Sequence, residues 1–172
     1  MNVVIAEAAS DERGALAYGQ KGDQTGNEVR FRSMNGSETG NAAFTKILRY
    51  PDAQMRKKFA QNNVEIVNNQ NIGYGQYGDA NDKYAGRYGL YWTMQEFGGF
   101  ANITTPCNVD CSAMQADVLI YNGINCPYTM RTATEIQALT QLGFETLDYS
   151  VDACRIGDIL WRQGHTACVV EA

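Results

Sequence analysis

Asp110-Cys111-Ser112 stands immediately before Met114, Val118 and Leu119, with Ala113 and Ala116 between them. That spacing predicts a helix whose first turn contains the cysteine. The first turn of a helix carries unpaired backbone N–H groups and the positive end of the helix dipole, both of which favour an anion. A thiol placed there is expected to have a lowered pKa and so more of the nucleophilic thiolate. The N–H groups of Cys111 and Ser112 are then suited to hold a developing oxyanion. Taken alone, the same cysteine reads equally as a buried structural residue at the base of a helix.

The chain has one histidine, His165, in Gly157-Asp158-Ile-Leu-Trp-Arg-Gln-Gly164-His165-Thr166-Ala-Cys-Val-Val170. Thiol activation usually needs an imidazole to accept the proton, and the two residues need to meet only in space. Gly157-Asp158 and Gln163-Gly164 bracket Ile-Leu-Trp-Arg as one strand, and His165 opens the next, so a hairpin is predicted. A strand edge after a glycine turn is a place where an imidazole can face a helix N-terminus.

These residues also carry a resemblance. Asp-Cys-Ser at a helix start, then Arg155-Ile-Gly-Asp-Ile-Leu160, then Gly-His-Thr-Ala at a strand start, resembles the NlpC/P60 superfamily of papain-like cell-wall cysteine peptidases and amidases. The similarity is closer to its phage- and prophage-encoded peptidoglycan hydrolases, the endolysin-type catalytic domains. Gly22-Asp-Gln-Thr-Gly-Asn-Glu-Val29, Asn71-Ile-Gly-Tyr-Gly-Gln76 and Thr104-Thr-Pro-Cys-Asn-Val-Asp-Cys111 resemble segments of those enzymes and come in the same order. The resemblance implies an α+β, papain-like fold, helices first and an antiparallel sheet last, with the nucleophile at a helix N-terminus. It implies Cys111 as nucleophile and His165 as base, with Tyr74 and Gln76 in the cleft, and it implies no metal or organic cofactor. In the superfamily a polar residue on the strand after the histidine strand orients the imidazole. This chain stops at Ala172, and Glu171, on the same strand as His165, would be ~20 Å away at strand rise. Three alternatives stay open: a catalytic region lacking its last strand, an upstream orienting group, or a histidine without one. Asp110 is a candidate contact, though an N-cap role suits it better.

At 172 residues the chain is read as one domain, 1–172, with no wall-binding module. A net charge of -5 argues against a general nucleic-acid binder. No run of eighteen apolar residues suggests a membrane span, and the N-terminus lacks the basic and apolar regions of a secretory signal. The expectation is a monomer made in the bacterial host cytoplasm that acts at the cell wall. Five cysteines cannot all pair, and one histidine is too few for the common Cys/His zinc patterns, so reduced thiols and no metal site are expected.

Along the chain, residues 2–10 read as a first helix, Glu28 to Ser33 and the segment around Phe44, Ile47 and Leu48 as strands. Pro51-Asp52 opens a helix to about Asn68. Gly22-x-x-x-Gly26 lacks the Gly-Lys-Ser/Thr of a phosphate loop. Tyr84 to Glu96 and Thr129 to Gly143 read as helices, Phe144 to Ser150 as a strand.

The reaction these residues predict is attack of the Cys111 thiolate on an amide in the peptidoglycan stem peptide, with His165 moving the proton. The bond is either the N-acetylmuramoyl-L-alanine amide or an endopeptidase bond within the stem. Rival readings are a catalytically inactive phage structural or binding module with the same fold, an interbacterial amidase toxin, and a deamidase or transglutaminase using the same pair.

Overall fold

The computed structural model describes residues 2–172. The strands are β1 (Val3–Ala8), β2 (Val29–Met34), β3 (Lys46–Arg49), β4 (Ile72–Tyr74), β5 (Cys107–Val109), β6 (Glu145–Asp148), β7 (Ile159–Arg162) and β8 (His165–Glu171). The helices are α1 (Ala53–Val67), α2 (Gly89–Phe97), α3 (Cys111–Tyr121) and α4 (Thr132–Gln141). Six strands make one antiparallel sheet in the order β2-β1-β8-β7-β3-β6.

The segment expected to be a first helix is β1, and three strands precede α1, so helices do not come first. The physical reason lies in its neighbours. Val3-Val-Ile-Ala-Glu-Ala8 is a central strand between β2 and β8, buried on both faces, and such a strand shows no apolar–polar alternation. Val3 and Ile5 face one core, with Met34, Phe44, Ile47, Leu160, Ala167 and Val169. Ala6 and Ala8 face the other, with α1, α3 and the aromatic residues Phe59, Phe100 and Phe144.

The predicted hairpin is present. Gln163-Gly164 joins β7 to β8, with Arg162 opposite His165. α1 starts where Pro51-Asp52 places it: Asp52 caps it, accepting from the N–H groups of Gln54 at 2.8 Å and Met55 at 2.9 Å. α2 begins at Gly89 rather than at Tyr84, because residues 79–88 form turns. All residues of α3 from Cys111 to Leu119 are buried, so this helix is the centre of the molecule.

The three glycine- and asparagine-rich segments pack on one another. β4 and β5 pair in parallel, Cys107 N–H donates to Asn71 O at 2.8 Å, and Gly22 N–H donates to Cys107 O at 3.2 Å. Gly73 lies so close to this loop that a Cβ there would stand 1.9 Å from Gly22 O, so no other residue fits. The layer delivers the chain through Val109 and Asp110 to the start of α3.

Candidate active site

Asp110 is the N-cap of α3; its carboxylate accepts from Ala113 N–H at 2.9 Å. The same carboxylate is held by Arg87, Nε at 2.6 Å and Nη2 at 3.3 Å, and both side chains are buried. Arg87 also donates to Ser112 Oγ at 3.0 Å, to Tyr88 Oη at 3.1 Å and to the carbonyls of Met130 at 2.6 Å and Thr129 at 3.3 Å. Each of its donor nitrogens is therefore engaged. A buried guanidinium with one carboxylate and several oxygen acceptors is a positioning element: it fixes the first turn of α3 against the segment before α4. Sequence reasoning did not single out Arg87, which stands in a tyrosine–glycine stretch without a motif of its own.

Cys111 opens α3 as expected, but the expected lowering of its pKa does not follow. The residue is 6% exposed. Burial pushes its thiol up to about 12, and the Asp110 carboxylate adds to the effect. The backbone N–H groups of Thr166 and Ser112 face the sulfur and work in the other direction. Desolvation of the thiolate outweighs the helix N-terminus here, and Cys111 rests as a neutral thiol. All five cysteines are free and buried.

Tyr74 lies in the same cluster, 2% exposed, its hydroxyl pushed up by burial and by the neighbouring Cys111 and Asp110. Gln76 Nε2 donates to Tyr74 Oη at 3.3 Å. The structure thus gathers Cys111, Ser112, Asp110, Tyr74 and Gln76 around the start of α3.

His165 is placed differently. Side chains alternate across a strand, and His165 shares its face with Ala167 and Val169, away from α3. Its ring stacks on Phe44, centroids 6.0 Å apart. Its neighbour Thr166 faces α3 and presents the N–H that meets Cys111. No hydrogen bond joins the thiol and the imidazole among the described residues. The β1–β8 ladder shifts register between Val4 and Ile5, and its last partners on this side are Ala6 and Cys168. Thr166 and His165 therefore lie beyond the paired part of the ladder.

A carboxylate partner of His165 is on β1. His165 Nε2 is 2.8 Å from Glu7 Oε2. Antiparallel β1 lies beside β8, where a strand following the histidine strand would be expected, and supplies the carboxylate from the opposite end of the sequence. Glu7 is buried and held by Arg32, Nε to Oε1 at 2.8 Å and Nη2 to Oε2 at 2.9 Å, and by Arg30 at 3.0 Å. Burial works against the charge on Glu7. Hydrogen bonds from His165 and Arg32, together with their charges, outweigh it and hold the carboxyl well below the usual range. An ionised carboxylate only accepts, so the proton of that contact sits on Nε2, and in the neutral ring Nδ1 carries the free lone pair. Nothing near Val3–Ala8 marks Glu7 as functional except that it is the lone charge in an apolar run.

A second buried carboxyl stands on the α3 face. Glu135 of α4 is fully buried, and Thr166 Oγ1 lies 2.9 Å from its Oε1 and 3.0 Å from Leu160 O. One hydroxyl proton serves only one of these acceptors. Both contacts are hydrogen bonds when Glu135 is protonated and donates to Thr166, which then donates to Leu160. Burial pushes Glu135 up to about 8, with the Asp110 charge adding to it, which fits the protonated form.

Among the described residues no group of three or more His, Cys, Asp and Glu side chains is arranged to hold a metal ion, and no helix is long and apolar enough to cross a membrane. No curated protein and no solved structure matches this chain. A family model, the Endolysin-like domain, matches residues 5–172, from the middle of β1 to the last residue, and the protein belongs to that family.

Proposed function

We propose that this domain, whose family points to a phage-type role at the cell wall, hydrolyses an amide bond of the peptidoglycan stem peptide with Cys111 as nucleophile and His165 as base. The single observation that carries the reading is the Glu7–His165 contact. It fixes the imidazole with Nδ1 as its basic nitrogen, on the residue next to the one whose N–H meets the Cys111 sulfur. A papain-like arrangement of the NlpC/P60 kind, with the third group moved to the N-terminal strand, is part of the same proposal. So are synthesis in the host cytoplasm and action at the wall.

In the reaction, the Cys111 proton passes to His165 Nδ1 as the sulfur bonds to the amide carbonyl carbon. The N–H groups at the start of α3 hold the oxyanion. Collapse breaks the C–N bond, and His165 gives the proton to the leaving amine. Water then attacks the thioester, with His165 again taking a proton, and the free thiol returns. The resting thiol is neutral, so proton transfer accompanies attack rather than preceding it. The imidazole must turn toward the sulfur, and catalytic contacts commonly tighten when substrate binds.

Digestion of purified peptidoglycan, followed by mass spectrometry of released fragments, tests this. Cys111→Ala and His165→Ala are expected to release none, and Glu7→Gln to lose on the order of 10³- to 10⁴-fold in rate, as when the carboxylate that holds a triad histidine in its tautomer becomes an amide. A folded wild type that releases no fragment from any wall would replace hydrolysis by a wall-binding module. That second reading is favoured by the neutral, buried thiol and by its separation from the imidazole.

A further inference from the structure

Beside the Cys111 cluster lies an open cleft of about 340 Å³ whose walls are unusually aromatic for a surface feature. Tyr18 is 70% exposed, Tyr77 51% and Trp92 37%. The Tyr18 and Tyr77 rings are 6.5 Å apart and tilted by 34°. The cleft joins the candidate active site through two of its residues. Arg87 lies at its floor and reaches Ser112; Gln76 lies in its wall and reaches Tyr74.

Tyr18 is held there at a conformational cost. It is the one non-glycine with a positive φ among the described residues, at 63°. A bulky side chain rarely adopts this left-handed region, and such conformations persist only where the surroundings impose them. Here Tyr18 N–H donates to Tyr77 O at 2.8 Å, and Gln76 N–H donates to Leu16 O at 2.8 Å, laying the two loops side by side. The next residue, Gly19, is wedged so tightly that a Cβ would meet Asp11 Cβ at 2.5 Å and Tyr74 O at 2.9 Å. The fold thus keeps two large rings in water, where they gain little from burial, at the mouth of the site.

The charges of the cleft narrow the ligand. Arg87 is paired with Asp110, Asp82 with Lys21 and Lys83 with Glu96. That leaves Asp79 and Arg131, one of each sign, so the cleft has no net pull on a cation or an anion. Exposed aromatic faces, with polar side chains such as Gln76, Asp79 and Arg131 around them, suit an uncharged ring with an apolar face and a rim of hydroxyl and amide groups.

We propose that this cleft binds an N-acetylated amino-sugar ring of the peptidoglycan glycan, stacked on Tyr77 and Tyr18 with Trp92 closing one side. The inference rests on the wall reading given above and deepens it. A sugar seated next to Arg87 and Gln76, which touch Ser112 and Tyr74 of the Cys111 cluster, makes the N-acetylmuramoyl-L-alanine amide, the bond nearest the glycan, the one cut rather than one deep in the stem.

The test uses the Cys111→Ala protein, so that nothing is turned over. Affinities are measured by calorimetry for a disaccharide carrying a stem peptide and for the same stem peptide without sugar. The sugar-bearing fragment is expected to bind at least tenfold more tightly. Tyr77→Ala and Trp92→Ala, both at exposed positions and checked for folding by thermal melting, are each expected to reduce that preference to under threefold. Equal affinity for the two fragments, or a preference unmoved in both folded variants, would overturn the proposal. Wall digestion by wild type is run alongside. Sugar preference without released fragments would sink hydrolysis and leave the sugar site standing; released fragments without sugar preference would do the reverse. Fragments cut only within the stem would also count against it.

Discussion

Two glutamates are buried against the two faces of one sheet, and their surroundings drive them to opposite states. Glu7, on the face away from α3, has Arg30, Arg32 and His165 around it and is held as a carboxylate. Glu135, on the α3 face, has Thr166, a neighbouring thiol and the negative Asp110 nearby, and is held as an acid. Burial penalises charge on both. The difference is whether cations and donors are close enough to outweigh it. His165 and Cys111 fall on the same two sides: the proposed base lies with the carboxylate Glu7, and the proposed nucleophile lies on the face of the acid Glu135. Any chemistry that uses both must pass between environments that the β-sheet keeps apart.

The largest effect expected from this separation is on the thiol. With its pKa pushed up to about 12, Cys111 should react with iodoacetamide at pH 7 about three-thousandfold more slowly than a free cysteine, whose pKa is about 8.5. Mass spectrometry of tryptic peptides measures the rate residue by residue. A rate near that of free cysteine would mean that the imidazole reaches the sulfur at rest, and the contrast between the faces would collapse.

Next comes the charged face. Glu7→Ala leaves a half-buried histidine and two partly exposed arginines without their carboxylate, and breaking such a network is expected to cost about 2 kcal/mol. Urea unfolding followed by circular dichroism checks this. A loss below about 1 kcal/mol would show the cluster to be solvated.

The pH dependence sharpens the comparison most, because the two glutamates give slopes of opposite sign. Glu7 has a folded pKa below the ordinary value of 4.5. Its contribution is present above that value and is lost as pH falls below it. Glu135 has a folded pKa raised from 4.5 to about 8. Its contribution is complete below about pH 4.5 and is lost as pH rises toward 8, at up to about 1.4 kcal/mol per pH unit for one proton. Thermal melting across pH 3–9 should show the alkaline-side decline become shallower in Glu135→Gln, the remainder coming from the buried Glu28 and Asp117, which are raised in the same sense, and stay unchanged in Glu7→Gln. A decline that keeps its full slope in Glu135→Gln would assign it to other groups.

Local signals carried much of the fold. Asp52 and Asp110 before apolar runs marked the starts of α1 and α3, and Gln163-Gly164 marked the hairpin that carries His165. What failed was local in a different way. Val3-Val-Ile-Ala-Glu-Ala8 has no period because both of its faces are buried, and only its partners β2 and β8 make it a strand. Glu7 could not be read as a partner of His165, since the contact spans 158 positions. The thiol was misjudged for the same reason. A helix N-terminus can be seen in the sequence, but the packing that desolvates Cys111 comes from β8, Asp110 and α4. Arg87 had no signal at all, because its role depends on Asp110, Ser112, Thr129 and Met130 converging on it.

The pairing of β1 with β8 also governs when the Glu7–His165 contact can form. β1 can pair with β2 early, but its other edge stays open until β8 exists, and that β1–β8 contact is of long range, a slow kind to form. During synthesis α3, the cleft loops and Glu7 all emerge before His165, so a nascent chain carries every part of the cluster except its imidazole. The carboxylate–imidazole contact forms only after β8 has emerged. Order of synthesis alone therefore keeps an unfinished chain without the completed constellation.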